Sequence, residues 1–430
     1  MKTYEALGES LFIDRLENGL PVFVIPKRGY RGVYAFFATD YGSADTRFAL
    51  DGVWHETPAG VAHFLEHKMF DMPDGSNALQ LLSRSGASPN AFTSHGVTAY
   101  HFKATNDFEA NLRILLRFVS TPYFTDESVS KEQGIIGQEI RMIEDDPDSQ
   151  LFENLMGALY ARHPARISIA GTTDSIARIT ADTLYECHEA FYHPALMCLC
   201  VAGDVDPERV TCVARDVLPN TQGRRVTRDW GAEVGDRASQ SQVTVSMEVA
   251  LPLFALGAVC PPPNRGRDAL GYELLAELAM EALTGRASRL YAKLYGEGLI
   301  NREYDHGFYR TSGLFMLVCL GESRDPERVR ALFLEEVARV ARDGLDETLF
   351  ERLKKAALGA RLRQLDSLSM LCRMQADAYF AGTDYFEFAS LFDSLNAAAA
   401  VALLTSCLTS ERMSLSIVNP LHSDRFVSRN

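Results

Sequence analysis

No apolar run in this 430-residue chain approaches the roughly 20 residues that cross a bilayer as a helix. The longest, Leu196 to Ala202 and Ala250 to Cys260, are the size of core strands. The opening MKTYEALGESLFIDRLENGL lacks the basic start, unbroken apolar core and small-residue cleavage site of a secretory signal, so none is expected. Positive charge is in deficit, with 43 Lys plus Arg against 57 Asp plus Glu and a formal net charge of -14. A basic face is what nucleic acid and anionic membrane surfaces require, so neither is an expected partner. The eight cysteines include no Cys-x-x-Cys pair. Cys198 and Cys200 alternate inside an apolar run, which places them on one face of a buried strand as core thiols, in keeping with a reducing cytoplasm. Neither a Gly-x-Ser-x-Gly elbow nor a nucleotide-binding glycine loop occurs, and no cysteine neighbours a base in sequence, so nucleophilic and nucleotide chemistry lack support. The second half has only two histidines, His306 and His422, so chemistry is expected in the first.

Hydrophobic residues make up 47% of the chain, enough for a folded protein, and the length exceeds what one core usually serves, so two domains are expected. The negative charge is uneven: residues 1–220 carry a net -12 and residues 221–430 a net -2. Leu11 to Lys27 reads as two strands around an Asn-Gly turn. Val33 to Thr39 and Val97 to Ala104 read as further strands, with a polar loop after Tyr41-Gly42-Ser43. Helical spacing starts near Val61 and recurs at Ala110–Val119, Lys131–Glu144 and Leu184–Tyr192. A polar, aperiodic segment follows Pro219. The expected division is therefore 1–220, a linker at 221–241, and 242–430, where strand and helix patterns recur in a similar order.

Residues 63–67 read His63-Phe64-Leu65-Glu66-His67. On a helix the two imidazoles lie about 40° apart, with Glu66 about 60° from His63 on the other side, so all three can converge. Two histidines at i and i+4 form a zinc clamp, and the carboxylate between them can take a proton from a water. The His-x-x-Glu-His order is the inverzincin signature. Two solvated histidines on a surface helix would be the bland alternative, but the apolar flanks Val61, Ala62, Met69 and Phe70 argue for burial. A third ligand is sought in KEQGIIGQEIRMIEDD, residues 131–146. Glu132 and Glu139 share a helix face to within about 20°, whereas Glu144 points about 140° away from Glu139. Geometry favours Glu139 as ligand, with Glu132 joining the catalytic set as the carboxylate that orients a histidine.

His63-Phe64-Leu65-Glu66-His67 followed by EQGIIGQE, residues 132–139, resembles the pitrilysin/insulinase (M16) family of zinc metallopeptidases. Further resemblances run the length of the chain. They include LENGLPVFV from Leu16, GASPNAFTSHGVTAY from Gly86, His163-Pro164 with Ala170-Gly171-Thr172, Tyr192-His193-Pro194, Ser288-Arg289-Leu290 and Gly298-Leu299. The wording is most similar to bacterial short-chain members that occur as paired paralogues. The resemblance implies an α+β fold of two homologous domains, each a mainly antiparallel sheet backed by helices, forming half of a clamshell that a second copy or an M16 paralogue completes. It implies one Zn2+ per chain held by His63, His67 and Glu139, with Glu66 as general base. Asn90, Ala91 and Phe92 would lie on an edge strand that pairs with a peptide substrate, and Arg289 would face the substrate. Two departures stand out. The interval of 72 residues from His67 to Glu139 is a few short of the commonest family spacing, which would fall near Glu144. Ile300-Asn301 follows Gly298-Leu299 where many relatives carry a tyrosine, leaving Arg289 or Tyr304 as weak substitutes.

The function expected is a zinc endopeptidase acting on enclosed, unfolded peptides. The acidic first half adds the expectation of a preference for basic peptides. The alternatives are a non-catalytic peptide-binding or assembly subunit of a heterodimer and a zinc amidohydrolase of a protein-modification pathway.

Overall fold

The structure, a computed structural model, describes residues 1–221, 223–231 and 237–421. Part of the expected linker and His422 therefore lie outside the described residues. The strands of the first unit are β1 (Lys2–Tyr4), β2 (Glu9–Arg15), β3 (Pro21–Pro26), β4 (Val33–Thr39), β5 (Arg47–Leu50), β6 (Val53–Glu56), β7 (Ser88–Thr93), β8 (Thr98–Ala104), β9 (Met197–Gly203) and β10 (Val226–Arg228). Those of the second are β11 (Gln242–Met247), β12 (Leu253–Val259), β13 (Asp305–Thr311), β14 (Leu314–Glu322) and β15 (Met413–Pro420). The first sheet runs β1-β2-β3-β9-β4-β8-β7, antiparallel except for the β3/β9 pair. The second runs β11-β15-β12-β14-β13, antiparallel except for β11/β15. Both thus contain the same five-strand order, one parallel pair followed by three antiparallel neighbours. This is the repeated α+β architecture expected from the sequence. Strands β4 and β9 are buried at every position, which is why VYAFFAT and MCLCVAG read as apolar runs rather than as alternating patterns.

The two compact units are not contiguous in sequence, and here the packing departs from a single cut at 221–241. The first comprises 1–140, 168–230 and 360–389, and the second takes 141–167 together with the described parts of 231–430 outside 360–389. Burial of sheet faces is the reason. Helix Leu368–Phe380 packs on β9 and β4, so a segment of the second half covers the first sheet. Helices α1 (Val61–Lys68), α2 (Ala78–Arg84), α3 (Phe108–Ser120) and α4 (Asp126–Asp145) follow in the first half. The next, α5 (Pro147–Leu159), lies against β15 and β12 of the second sheet.

Three strands of the first unit lie in segments read from the sequence as loop or linker. The expected polar loop after Ser43 contains the β5/β6 hairpin, whose turn Asp51-Gly52 takes φ of 49° and 89°. The Asp-Gly dipeptide was its signal. Part of the expected linker is β10, paired antiparallel with β5. This pairing is anchored by Asp45, whose side chain is buried. It accepts from the amide of Gly42 at 3.0 Å and from Trp230 Nε1 at 2.9 Å, and Arg228 Nε lies 3.1 Å away. Burial pushes the Asp45 carboxyl up to about 6, against the opposing pull of Arg228. Removing Arg228 strands a buried carboxylate, so Arg228→Met is expected to lower stability by about 2–4 kcal/mol near neutral pH. A folded-state value above the unfolded one means that stability is fully present below the unfolded value and is lost as pH rises through the folded one. The deficit should therefore grow between pH 5 and 8, as measured by denaturant titrations of both proteins.

Candidate metal centre

Helix α1 starts without a side-chain cap and is seated by close backbone contact instead. Gly60 has φ 90°, and a Cβ there would lie 2.4 Å from the carbonyl oxygen of Ala170. Gly171, at φ 79°, would place one 2.5 Å from that of Ala59. Ser175 Oγ donates to the Ala59 carbonyl at 2.8 Å and accepts from the amide of Thr172, the N-cap of the short helix Thr173–Ile176. The Ala170-Gly171-Thr172 landmark is thus the seat of α1. Val61, Ala62, Phe64 and Leu65 are buried, which commits one face of α1 to the core and turns His63 and His67 the other way. In α4, Ile136 and Ile140 are buried while Glu132 and Glu139 share the face toward α1.

The geometry brings the expected ligands together. His63 Nε2 lies 3.5 Å from Glu139 Oε1, and His67 Nε2 lies 3.7 Å from Glu139 Oε2. The two imidazole centroids are 4.6 Å apart. Among the described residues this is the one group of three potential ligands, all their donor atoms lying within 4.8 Å of one another. A tetrahedral zinc with bonds of about 2.0–2.2 Å separates its donors by roughly 3.4 Å, so the two nitrogens and one carboxylate fit such an ion with little movement. Glu144 is exposed near the end of α4 and is not part of the group.

Glu132 Oε1 lies 3.0 Å from His67 Nδ1. A carboxylate there accepts from Nδ1–H, which leaves the Nε2 lone pair facing Glu139. Lys68, buried at the end of the same helix, reaches Asp71 and lies 3.9 Å from the other Glu132 oxygen. Burial, reinforced by His67, lowers the His63 imidazole to about 4, so it is neutral at pH 7 as a metal ligand must be. Burial opposes charge on His67 too, but the Glu132 hydrogen bond and the Glu66 and Glu139 carboxylates more than offset it, and the net direction is upward. Three carboxylates and one lysine surround the imidazoles, an excess of negative charge that a divalent cation would neutralise.

Glu66 is buried, and burial raises its carboxyl even though Thr93 Oγ1 donates to its Oε2 at 2.8 Å. Thr93 ends β7, beyond which the first sheet has no further strand among the described residues, so Asn90, Ala91 and Phe92 do lie on an edge strand. Their side chains differ in setting: Asn90 is exposed, and Phe92 sits 4.9 Å beneath the Arg373 guanidinium. Reading the sequence missed Thr93 and Lys68. Each adjoins a singled-out residue, but neither carries a spacing signal. Arg289 belongs to the second unit, where it opens helix Arg289–Gly296 with Nε 4.0 Å from Glu336. In the same unit Ile300 and Tyr304 are buried, and Asn301 donates to Glu322 at 2.6 Å.

Fold and site define a class: repeated α+β proteins with a His-x-x-Glu-His helix beside the edge strand of a sheet. The family described as insulinase (peptidase family M16) matches residues 51–173, and the one described as the peptidase M16 inactive domain matches 178–357. The uncharacterized zinc protease YmfH of Bacillus subtilis is 34% identical over 97% of this chain and 98% of its own. A second protein of that organism, the uncharacterized zinc protease YmxG, is 26% identical over 74% of this chain and 79% of its own. The crystal structure of an M16-like peptidase from Alicyclobacillus acidocaldarius superposes with a TM-score of 0.92 at 31% identity, covering 96% of this chain and 98% of that one. The chain belongs to peptidase family M16.

Glu132→Gln is expected to weaken zinc binding about 10- to 100-fold, because the amide no longer holds the His67 tautomer as firmly. Glu144→Gln should leave the affinity unchanged. Competition titration against a chelator measures both.

Proposed function

We propose that the protein is a zinc-dependent endopeptidase for extended, unfolded peptides. The observation that carries this reading is the convergence of His63, His67 and Glu139 beside a buried Glu66, which is itself hydrogen-bonded to the end of a free edge strand. His63, His67 and Glu139 would hold the ion, and Glu132 would orient His67. When bound, zinc supplies Lewis acidity that polarises a water and a scissile carbonyl. Glu66 takes the proton of the attacking water and delivers it to the leaving amine. Its upward shift brings it closer to the working pH, as suits a group that must both accept and release a proton. Strand β7 would bind the peptide main chain by β-augmentation, which makes little demand on side chains.

Supporting a paired assembly, YmfH and YmxG show that two relatives of this chain exist in one organism. A homodimer or a heterodimer with such a paralogue would complete the enclosure. The eight unpaired thiols fit a reducing compartment, the cytoplasm. A non-catalytic subunit is the second reading, favoured by the inactive-domain match over 178–357. The intact ligand set weighs against it, and the free edge strand favours peptides over the small amide of an amidohydrolase.

The purified protein, alone or with its paralogue, should carry one zinc per chain. Glu66→Gln should keep that zinc while kcat falls at least about 100-fold. A wild type that binds no zinc and cleaves no peptide in any pairing would sink the reading. The net -12 of residues 1–220 supports a preference for basic peptides. Their kcat/KM should fall more steeply between 50 and 300 mM salt than that of neutral peptides, and equal salt dependence would exclude it.

A further inference from the structure

The hydroxyl of Thr93 donates a hydrogen bond to Glu66 Oε2 at 2.8 Å. The contact joins two elements whose positions are set independently. Helix α1 is fixed by the Gly60/Gly171 seat, whereas Thr93 is fixed by the ladder that pairs β7 with β8. The register shows which way each residue of β7 faces. Ser94 and Val97 close the turn, with Ser94 N donating to the Val97 carbonyl at 2.8 Å. Alternation along an antiparallel pair then directs the main-chain groups of Phe92 and Asn90 toward β8, and those of Thr93, Ala91 and Pro89 toward the free edge. Two further observations agree. Pro89, which has no N–H to give, occupies an edge-facing position, and the Ala91 amide is taken by its own neighbour's side chain, Asn90 Oδ1, at 2.9 Å. Side chains alternate as well. Phe92 packs toward Phe36 and Arg373 on one face of the sheet, and Thr93 reaches Glu66 of α1 on the other.

Thr93 therefore presents its main chain to the edge on which a peptide would add and its side chain to the carboxylate that would work on that peptide. We propose that Thr93 is a positioning residue for hydrolysis, holding Oε2 of Glu66 so that Oε1 is the oxygen that receives the proton of the attacking water. The proposal rests on the reading of Glu66 as general base. It links the strand that grips the peptide main chain to the group that acts on it: the same residue sets the line of the bound peptide and the orientation of the base. No bond to Thr93 forms or breaks. The proton passes from water to Glu66 and on to the leaving amine, while the Thr93 hydroxyl remains a donor throughout.

The test compares Thr93→Val, which keeps shape and loses the donor, with Thr93→Ser, which keeps the donor. In T93V, kcat should fall about 10- to 100-fold. KM, the zinc affinity and the affinity of the metal-free protein for an extended peptide should stay within about twofold, since none of them uses the hydroxyl. T93S should recover most of kcat. In the metal-free protein, the Glu66 carboxylate stretch, isolated as the wild-type minus E66Q infrared difference, should move in T93V and not in T93S. An unchanged kcat in T93V, a loss expressed in KM or peptide affinity, or T93S as impaired as T93V would each overturn the proposal. If E66Q cleaves as fast as wild type, the base assignment itself falls. If E66Q is inactive and T93V is not, only the role of Thr93 falls.

Discussion

Two histidines four residues apart meet on one face of any helix, but a third potential ligand must come from elsewhere in the chain, and the candidate metal centre depends on the packing that lays α4 beside α1. Neither helix could supply that alignment by itself. Helix α1 has eight residues, too few to be stable in isolation, and its first turn has no capping side chain. What holds it is burial of Val61, Ala62, Phe64 and Leu65, together with a backbone approach so close that both sides of it are glycine. Buried Ile136 and Ile140 set the rotation of α4, and with it the direction of Glu132 and Glu139.

Much of the centre was legible in the sequence because helical geometry is local. Spacing alone joined His63 to His67 and Glu132 to Glu139, and it separated Glu144, which the structure leaves exposed. That the two pairs meet was legible only through the family resemblance, since no local rule relates residues 72 apart. Thr93 and Lys68 were illegible for the same reason: a hydroxyl and an ammonium acquire their roles from what packs against them. In the fold, β4 and β9 were plain as apolar runs, whereas the short β5/β6 hairpin and β10 were read as loop. Their pairing is held by Asp45, Arg228 and Trp230, polar and aromatic residues scattered over the sequence rather than a periodic stripe.

The electrostatics of the centre form a graded series. Lys68 sits behind Glu132, Glu132 behind His67, and His67 beside Glu139. Lys68 and the His67 hydrogen bond both offset the charge of Glu132, so several ionisable groups share a partly buried site at tolerable cost, and Glu139, the more exposed of the row's two glutamates, keeps charge to offer a cation. His63 stands apart from the row. No carboxylate fixes its Nδ1, which is buried without a hydrogen-bond partner among the described residues.

Helix Leu368–Phe380 ties the two halves of the repeated architecture together. Leu371, Cys372 and Ala376 are fully buried, Cys372 Sγ touches the Tyr34 carbonyl of β4 at 3.8 Å, and Arg373 covers Phe92 of the edge strand. Among the described residues the second half contributes nothing to the candidate ligand group, yet it supplies this helix. A cavity made in that helix would loosen the very sheet whose edge lies beside Glu66, some 300 residues earlier in the chain. The setting of the candidate metal centre thereby depends on a segment of the second half, and neither repeat can be altered there without disturbing the other.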